Sequence, residues 1–201
     1  RPKALVACPA VKVKADAWSV HPYTTGSPIH QPSKPDNMSV AALPRLTKLL
    51  NAARKAKRLT SVNGNTQLWV TEFSWDSKPP DPGGVPSREL ARWVSQAMYM
   101  MYKAKVQTMT WFGLRDQVRN PGQKWSDSFE SGLYLRGDTV ADDKPKLVLR
   151  AFRQPFYAQR TRKGFRYWGR TANSKRATID IFGRRKGRGK ADTIATVKAN
   201  A

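Results

Sequence analysis

Three short apolar runs separated by amphipathic stretches limit what this chain can fold into. The runs are residues 15–21 (ADAWSVH), 67–73 (QLWVTEF) and 106–113 (VQTMTWFG). Each has strand length, and Pro22 or a polar turn stops it. Between the first two, Leu43, Leu46, Leu50, Ala53 and Ala56 recur at helical spacing. Arg54, Lys55, Lys57 and Arg58 crowd the last turns, where the helix dipole favours cations. Pro44 is tolerable only in a first turn, so the helix is predicted to start near Leu43. Ser87 reads as the cap of a second helix to about Lys105, with Leu90, Trp93, Val94, Ala97, Met98 and Met101 on one face. A short helix over 146–152 precedes Pro155. The order β-α-β-α-β-loop-α predicts parallel βαβ units, and strands that read as continuous apolar runs suit a buried parallel sheet. The fold class is α/β, either part of an open sheet or part of a (β/α)8 barrel.

The chain has 201 residues, 39% of them hydrophobic, and seven Trp, enough for a packed core. Its formal charge is +23, which predicts attraction to polyanions but no particular fold. No apolar run reaches the roughly 18 residues of a transmembrane helix. The chain begins with Arg1 and without signal-peptide features, which is the expected look of a processed product or a fragment. Cys8, the single cysteine, is read as a buried thiol or as half of a bridge to another segment.

After Pro155 the pattern changes. β-prone pieces at 165–168, 177–182 and 193–197 are separated by Gly and basic turns, and residues 157–201 hold 13 Lys and Arg against Asp180 and Asp192. Two domains are expected, 1–155 and a basic all-β module at 156–201 that ends without a closing strand.

Chemistry converges on the strand ends, where parallel α/β folds bind ligands. The chain has three glutamates. Glu89 falls in the first turn of a helix, where a carboxylate is comfortable, and Glu130 lies in a loop. Glu72 closes an apolar strand between aromatics, so it must be paired or face a pocket. His21-Pro22-Tyr23 ends the preceding strand and would lie beside it. A tyrosine hydroxyl there can hold a carboxylate ionised and oriented. Trp111 ends the third strand, where a flat ring suits a sugar face. Taken singly, each residue has a plain structural reading: Glu72 as an ion pair, His21 as a strand-end histidine, Trp111 as core.

Together, HPY, WVTEFSW and TWFGLRD resemble the clan A (β/α)8 glycoside hydrolases, the superfamily of families 5 and 39, over about residues 15–154. The resemblance implies a partial TIM barrel, about strands 6–8, with Glu72 as the nucleophile of a retaining glycosidase. It implies His21 and Tyr23 as residues lining the catalytic subsite and Trp111 as a sugar platform. Trp75, Asp76, Arg115 and Asp116, in the following loops, become substrate contacts. The family's acid/base is a Glu after Asn at the end of the fourth strand, and no Asn-Glu pair occurs here, so this chain alone is expected to be inactive. The tail, RYWGRTANSKRATIDIF, resembles small β-sandwich modules of secreted polysaccharide-active enzymes. The implied setting is extracellular, with an oligo- or polysaccharide substrate, no cofactor, and acidic cell-wall polymers as partners of the basic module.

Two other function classes compete with this reading. A non-catalytic carbohydrate-binding protein would bind sugar through Trp75 and Trp111 whatever happens to Glu72. Nucleic-acid binding is prompted by the basic run from Arg184 to Lys190, but no helix-turn-helix, zinc-ligand set or RNP-type motif accompanies it, so no specific nucleic acid is expected. Gly183 to Lys190 lacks phosphate-loop spacing, and Ala191 stands where a Ser or Thr would be needed. His21, His30 and Cys8 make no metal-ligand set. Asn37-Met38-Ser39 fits a glycosylation sequon, as many tripeptides do by chance.

Overall fold

The structure is a computed structural model, and it describes residues 11–171, 177–184 and 189–199. Cys8 and residues 185–188 of the basic run lie outside these. Three parallel strands form the central sheet, β1 (Ala17–Val20), β2 (Gln67–Phe73) and β3 (Val106–Trp111), in spatial order β1-β2-β3. Their connections carry α1 (Leu43–Lys55) and α2 (Ser87–Lys103), and α3 (Leu147–Arg153) follows a long loop. Among the described residues no closed barrel is formed; the architecture is a mixed α/β arrangement.

Hydrophobic periodicity explains the helices. Pro44 sits in the first turn of α1, where its missing N–H costs nothing. Leu46 and Leu50 pack with Leu59 and Leu68, while Leu90, Val94, Ala97, Met98 and Met101 of α2 join Val70 and Phe73 in the main core. Fully burying such a side chain contributes about 1.5–3 kcal/mol. Ala56, expected on the buried face, is exposed beyond the end of α1. Ser87 is not the cap of α2: Pro86 holds that position, and the Ser87 hydroxyl donates to the Lys78 carbonyl at 3.1 Å.

The strands depart from continuous burial. Leu68, Val70 and Phe73 of β2 are buried against the helices, whereas Gln67, Trp69, Thr71 and Glu72 are not. Thr108 and Thr110 of β3 are exposed as well. The helices cover one face only, and polar side chains populate the other. Ladder irregularities adjust this face. Val70 pairs with Met109 and Phe73 with Trp111, so three steps on β2 oppose two on β3. That extra residue is a bulge at Thr71-Glu72, which returns Phe73 to the core side and leaves both polar residues on the open side. Nearer the start of β2, the Leu68 N–H donates to the Gln107 side-chain oxygen at 2.8 Å.

Two antiparallel hairpins complete the described chain, β4 (Phe156–Thr161) with β5 (Gly164–Gly169), and β6 (Thr178–Gly183) with β7 (Asp192–Lys198). The first docks on α2, with Tyr157 and Trp168 against Tyr99 and Trp168 against Tyr102. The strand at β4 was not anticipated from sequence. The hairpins form two separate two-stranded sheets.

Candidate functional site

The site lies at the C-terminal ends of β1 and β2, neighbours in the parallel sheet. Pro22 ends β1 and turns the chain so that the Tyr23 N–H reaches the His21 carbonyl at 2.9 Å. The next residue fixes that turn: Thr24 donates to the Pro22 carbonyl and accepts from the Val40 N–H at 3.0 Å. Trp75, just beyond β2, donates its indole N–H to the carbonyls of Thr24 and Gly26 at 2.8 and 2.9 Å. The loop carrying Tyr23 is thereby tied to the strand carrying Glu72.

Glu72 has two side-chain partners among the described residues, and both approach Oε2. The Tyr23 hydroxyl donates to it at 3.0 Å, and His21 Nδ1 stands 3.5 Å away. His21 Nε2 lies 3.0 Å from the Thr71 hydroxyl, which fixes the ring between adjacent residues of the bulge. Oε1 has no side-chain partner among the described residues, and the Glu72 side chain is 37% exposed. One oxygen is anchored and the other is open. Partial burial, with the Glu72 hydrogen bond and charge adding to it, pushes the Tyr23 hydroxyl up to about 12. Tyr23 therefore stays protonated at neutral pH and serves as a donor.

A cavity of about 330 Å³ adjoins Tyr23 and is lined also by Gly26, Ser74, Trp75, Asp76 and Asp81. Asp76 accepts the Glu130 N–H at 2.8 Å, and burial pushes its carboxyl up, with Asp81 adding repulsion. A larger cavity of about 440 Å³, lined by Met98, Met101, Met109, Phe152 and Trp168, lies at the seam between α2, β3 and the first hairpin, away from Glu72. It contains no carboxylate.

Other expected contact residues have structural tasks. Trp111 is 7% exposed, packs edge-on to Phe73, and donates its indole N–H to the Ser131 carbonyl at 2.7 Å. Its ring offers no open face for a sugar, because it sits on the helix-covered side of β3. Trp75, at 8% exposed, is also core, although its edge reaches the smaller cavity. Arg115 pairs with Asp143, and Asp116 pairs with Lys146 in a fully buried contact. Burial pushes the Asp116 carboxyl up while Lys146 pulls it back, and burial likewise pushes the Lys146 ammonium down. Arg115 and Asp116 thus brace the 113–146 loop. Gly132 belongs to the same brace: its N–H donates to Asp116 Oδ1 at 3.0 Å, and a Cβ there would collide with the Arg115-Asp116 backbone.

Thr71 and Lys146 escaped the sequence reading. The alternation of β2 alone gave no sign of the bulge that turns Thr71 to His21. Lys146 did carry a signal, a cation directly before a helix N-terminus, where only nearby carboxylates make it favourable. Among the described residues no group of three or more His, Cys, Asp or Glu could hold a metal, and no helix is long and apolar enough to cross a membrane.

No protein-family model matches the sequence, and no curated protein matches it. Solved structures with a partly similar shape include a family 39 glycoside hydrolase from the gut symbiont Bacteroides cellulosilyticus WH2, at 16% identity and a TM-score of 0.49 over 83% of this chain. A Faecalibacterium prausnitzii beta-glucuronidase aligns at 15% identity and a beta-glucosidase from Exiguobacterium marinum at 13%, each with a TM-score of 0.41 over 68% of this chain. The chain spans 36%, 21% and 34% of those three chains respectively, so each likeness covers only part of a longer protein.

Proposed function

We propose that this chain carries the nucleophile side of a retaining glycoside hydrolase, and that its three-stranded sheet is an arc of a (β/α)8 barrel. The observation that carries the reading is the asymmetric hold on Glu72. Tyr23 and His21 both address Oε2, with Oε1 unpartnered among the described residues, and Tyr23 itself lines the neighbouring cavity. A nucleophile needs one oxygen fixed for orientation and one free for attack on the anomeric carbon. In that reaction Glu72 Oε1 bonds to the sugar as the leaving group departs, and water later releases the sugar. Tyr23 orients the carboxylate through Oε2, and Thr71 keeps His21 in place.

Retaining chemistry also needs a second carboxyl about 5–5.5 Å away. Asp116 is committed to Lys146, while Glu130 accepts from the Ser128 hydroxyl at 3.1 Å. Asp76 accepts from a backbone N–H. In the family pattern the acid/base is a Glu following Asn, a pair this sequence does not contain, so the chain alone is expected not to turn over ordinary glycosides. A polysaccharide substrate, an extracellular setting and contact of the basic 156–201 module with acidic wall polymers belong to the same proposal. A purely sugar-binding role is less well supported, because the rings it would use, Trp75 and Trp111, are buried.

The test is calorimetric titration with a panel of iminosugars, whose ring ammonium seeks the nucleophile carboxylate. The parent chain is expected to bind at least one, with Glu72→Gln weakening it at least tenfold. Equal binding by parent and variant overturns the assignment.

A further inference from the structure

The β4–β5 hairpin has two unlike faces. In its register Tyr157 opposes Trp168 and Gln159 opposes Arg166, and Tyr157, Gln159 and Trp168 meet α2. The alternate positions, Phe156, Ala158 and Arg160 on β4 with Phe165 and Tyr167 on β5, face away from α2. Three aromatic rings run along this outer face. Phe156 and Tyr167 have centroids 5.9 Å apart and planes within 15°, while Phe165 and Tyr167 are 6.4 Å apart and within 20°. Phe156 is 48% and Phe165 59% exposed, an unusual position for neighbouring rings on a chain this polar.

Charge surrounds the rings. Arg160 lies directly opposite Phe165, and Arg162 and Lys163 form the turn. No Asp or Glu occurs between Asp143 and Asp180, whereas eleven Lys and Arg do. None of Arg160, Arg162, Lys163 or Arg166 forms an ion pair among the described residues. Aligned rings with unneutralised guanidinium groups at one end match a partner that alternates flat apolar ring faces with carboxylates.

We propose that this outer face docks an acidic polysaccharide, its pyranose faces lying on Phe156, Tyr167 and Phe165 and a uronate carboxylate on Arg160. The choice of a carbohydrate rests on the reading of Glu72 given above, and the surface itself goes beyond it. One cation, Arg160, stands on this face, while Arg162 and Lys163 lie at the turn and Arg166 shares the register position of Gln159 on the α2 side.

The test is affinity electrophoresis of the 201-residue chain through gels containing polygalacturonate or neutral hydroxyethylcellulose at 0.15 M salt, with a 20-mer oligothymidylate competing in solution. Polygalacturonate is expected to retard the parent, and the neutral polymer to retard it much less. Phe165→Ala/Tyr167→Ala and, separately, Arg160→Gln should each weaken retardation about tenfold with unchanged far-ultraviolet circular dichroism. Iminosugar binding by Phe165→Ala/Tyr167→Ala should match the parent's, so failure of the nucleophile assignment and failure of this one are read separately. Parent-like retardation of the aromatic variant, equal retardation by the neutral polymer, or tighter binding of the oligonucleotide than of polygalacturonate overturns the proposal.

Discussion

Tyr23 donates to the Glu72 oxygen that His21 also approaches, and the consequence is measurable in its titration. Its ionisation is pushed from about 10 up to about 12, by burial first and by Glu72 second. A group whose ionisation is raised in the folded state contributes stability that is complete below its unfolded value and is lost as pH rises through its folded value. The contribution of Tyr23 is therefore full below about pH 10 and fades toward pH 12. The difference in 295 nm absorbance between parent and Tyr23→Phe should reveal a tyrosine titrating near 12. In Glu72→Gln that ionisation should fall while staying above the ordinary tyrosine range, since burial remains. A second residue-scale prediction concerns Lys146. Lys146→Met strands the buried Asp116 carboxylate and should cost about 3–5 kcal/mol in urea unfolding. Adding Asp116→Asn should recover part of the loss.

At the scale of elements, the bulge in β2 shapes the site. Phe73 is fully buried against Trp75 and Trp111, and its place in the core forces Thr71 and Glu72 onto the open face. Phe73→Ala should cost about 3–5 kcal/mol by thermal unfolding, and should also weaken iminosugar binding, because the bulge loses its anchor. The helices were legible in the sequence, because Leu43, Leu46 and Leu50, then Leu90, Val94 and Met98, recur at 3.6-residue spacing. Glu72 beside His21 and Tyr23 was legible too, because parallel βαβ order brings successive strand ends together. The bulge was not, since it depends on the register between two strands. Nor was the burial of Trp111, because an indole at a strand end reads alike whether it faces a cavity or a helix. The pairing of Arg115 and Asp116 was not legible for a related reason: their partners, Asp143 and Lys146, lie 28 and 30 residues away across an irregular loop.

At the scale of the whole molecule, the sheet ends at β1 on one side and β3 on the other, and its polar face is open. Unpaired parallel edges invite pairing with another chain. The isolated chain should therefore associate with rising concentration in sedimentation velocity, or unfold over a broad range. A concentration-independent monomer with one cooperative transition would contradict this. The central claim, that Glu72 is a nucleophile with one free oxygen, can be tested without the acid/base. A dinitrophenyl 2-deoxy-2-fluoro glycoside has a leaving group that departs without protonation, and its fluorine slows release of the covalent sugar. Incubating the chain with such glycosides and sequencing the labelled peptide by mass spectrometry should place one sugar on Glu72, with none in Glu72→Gln. A chain that takes no sugar on Glu72, or takes it equally in Glu72→Gln, would contradict the account.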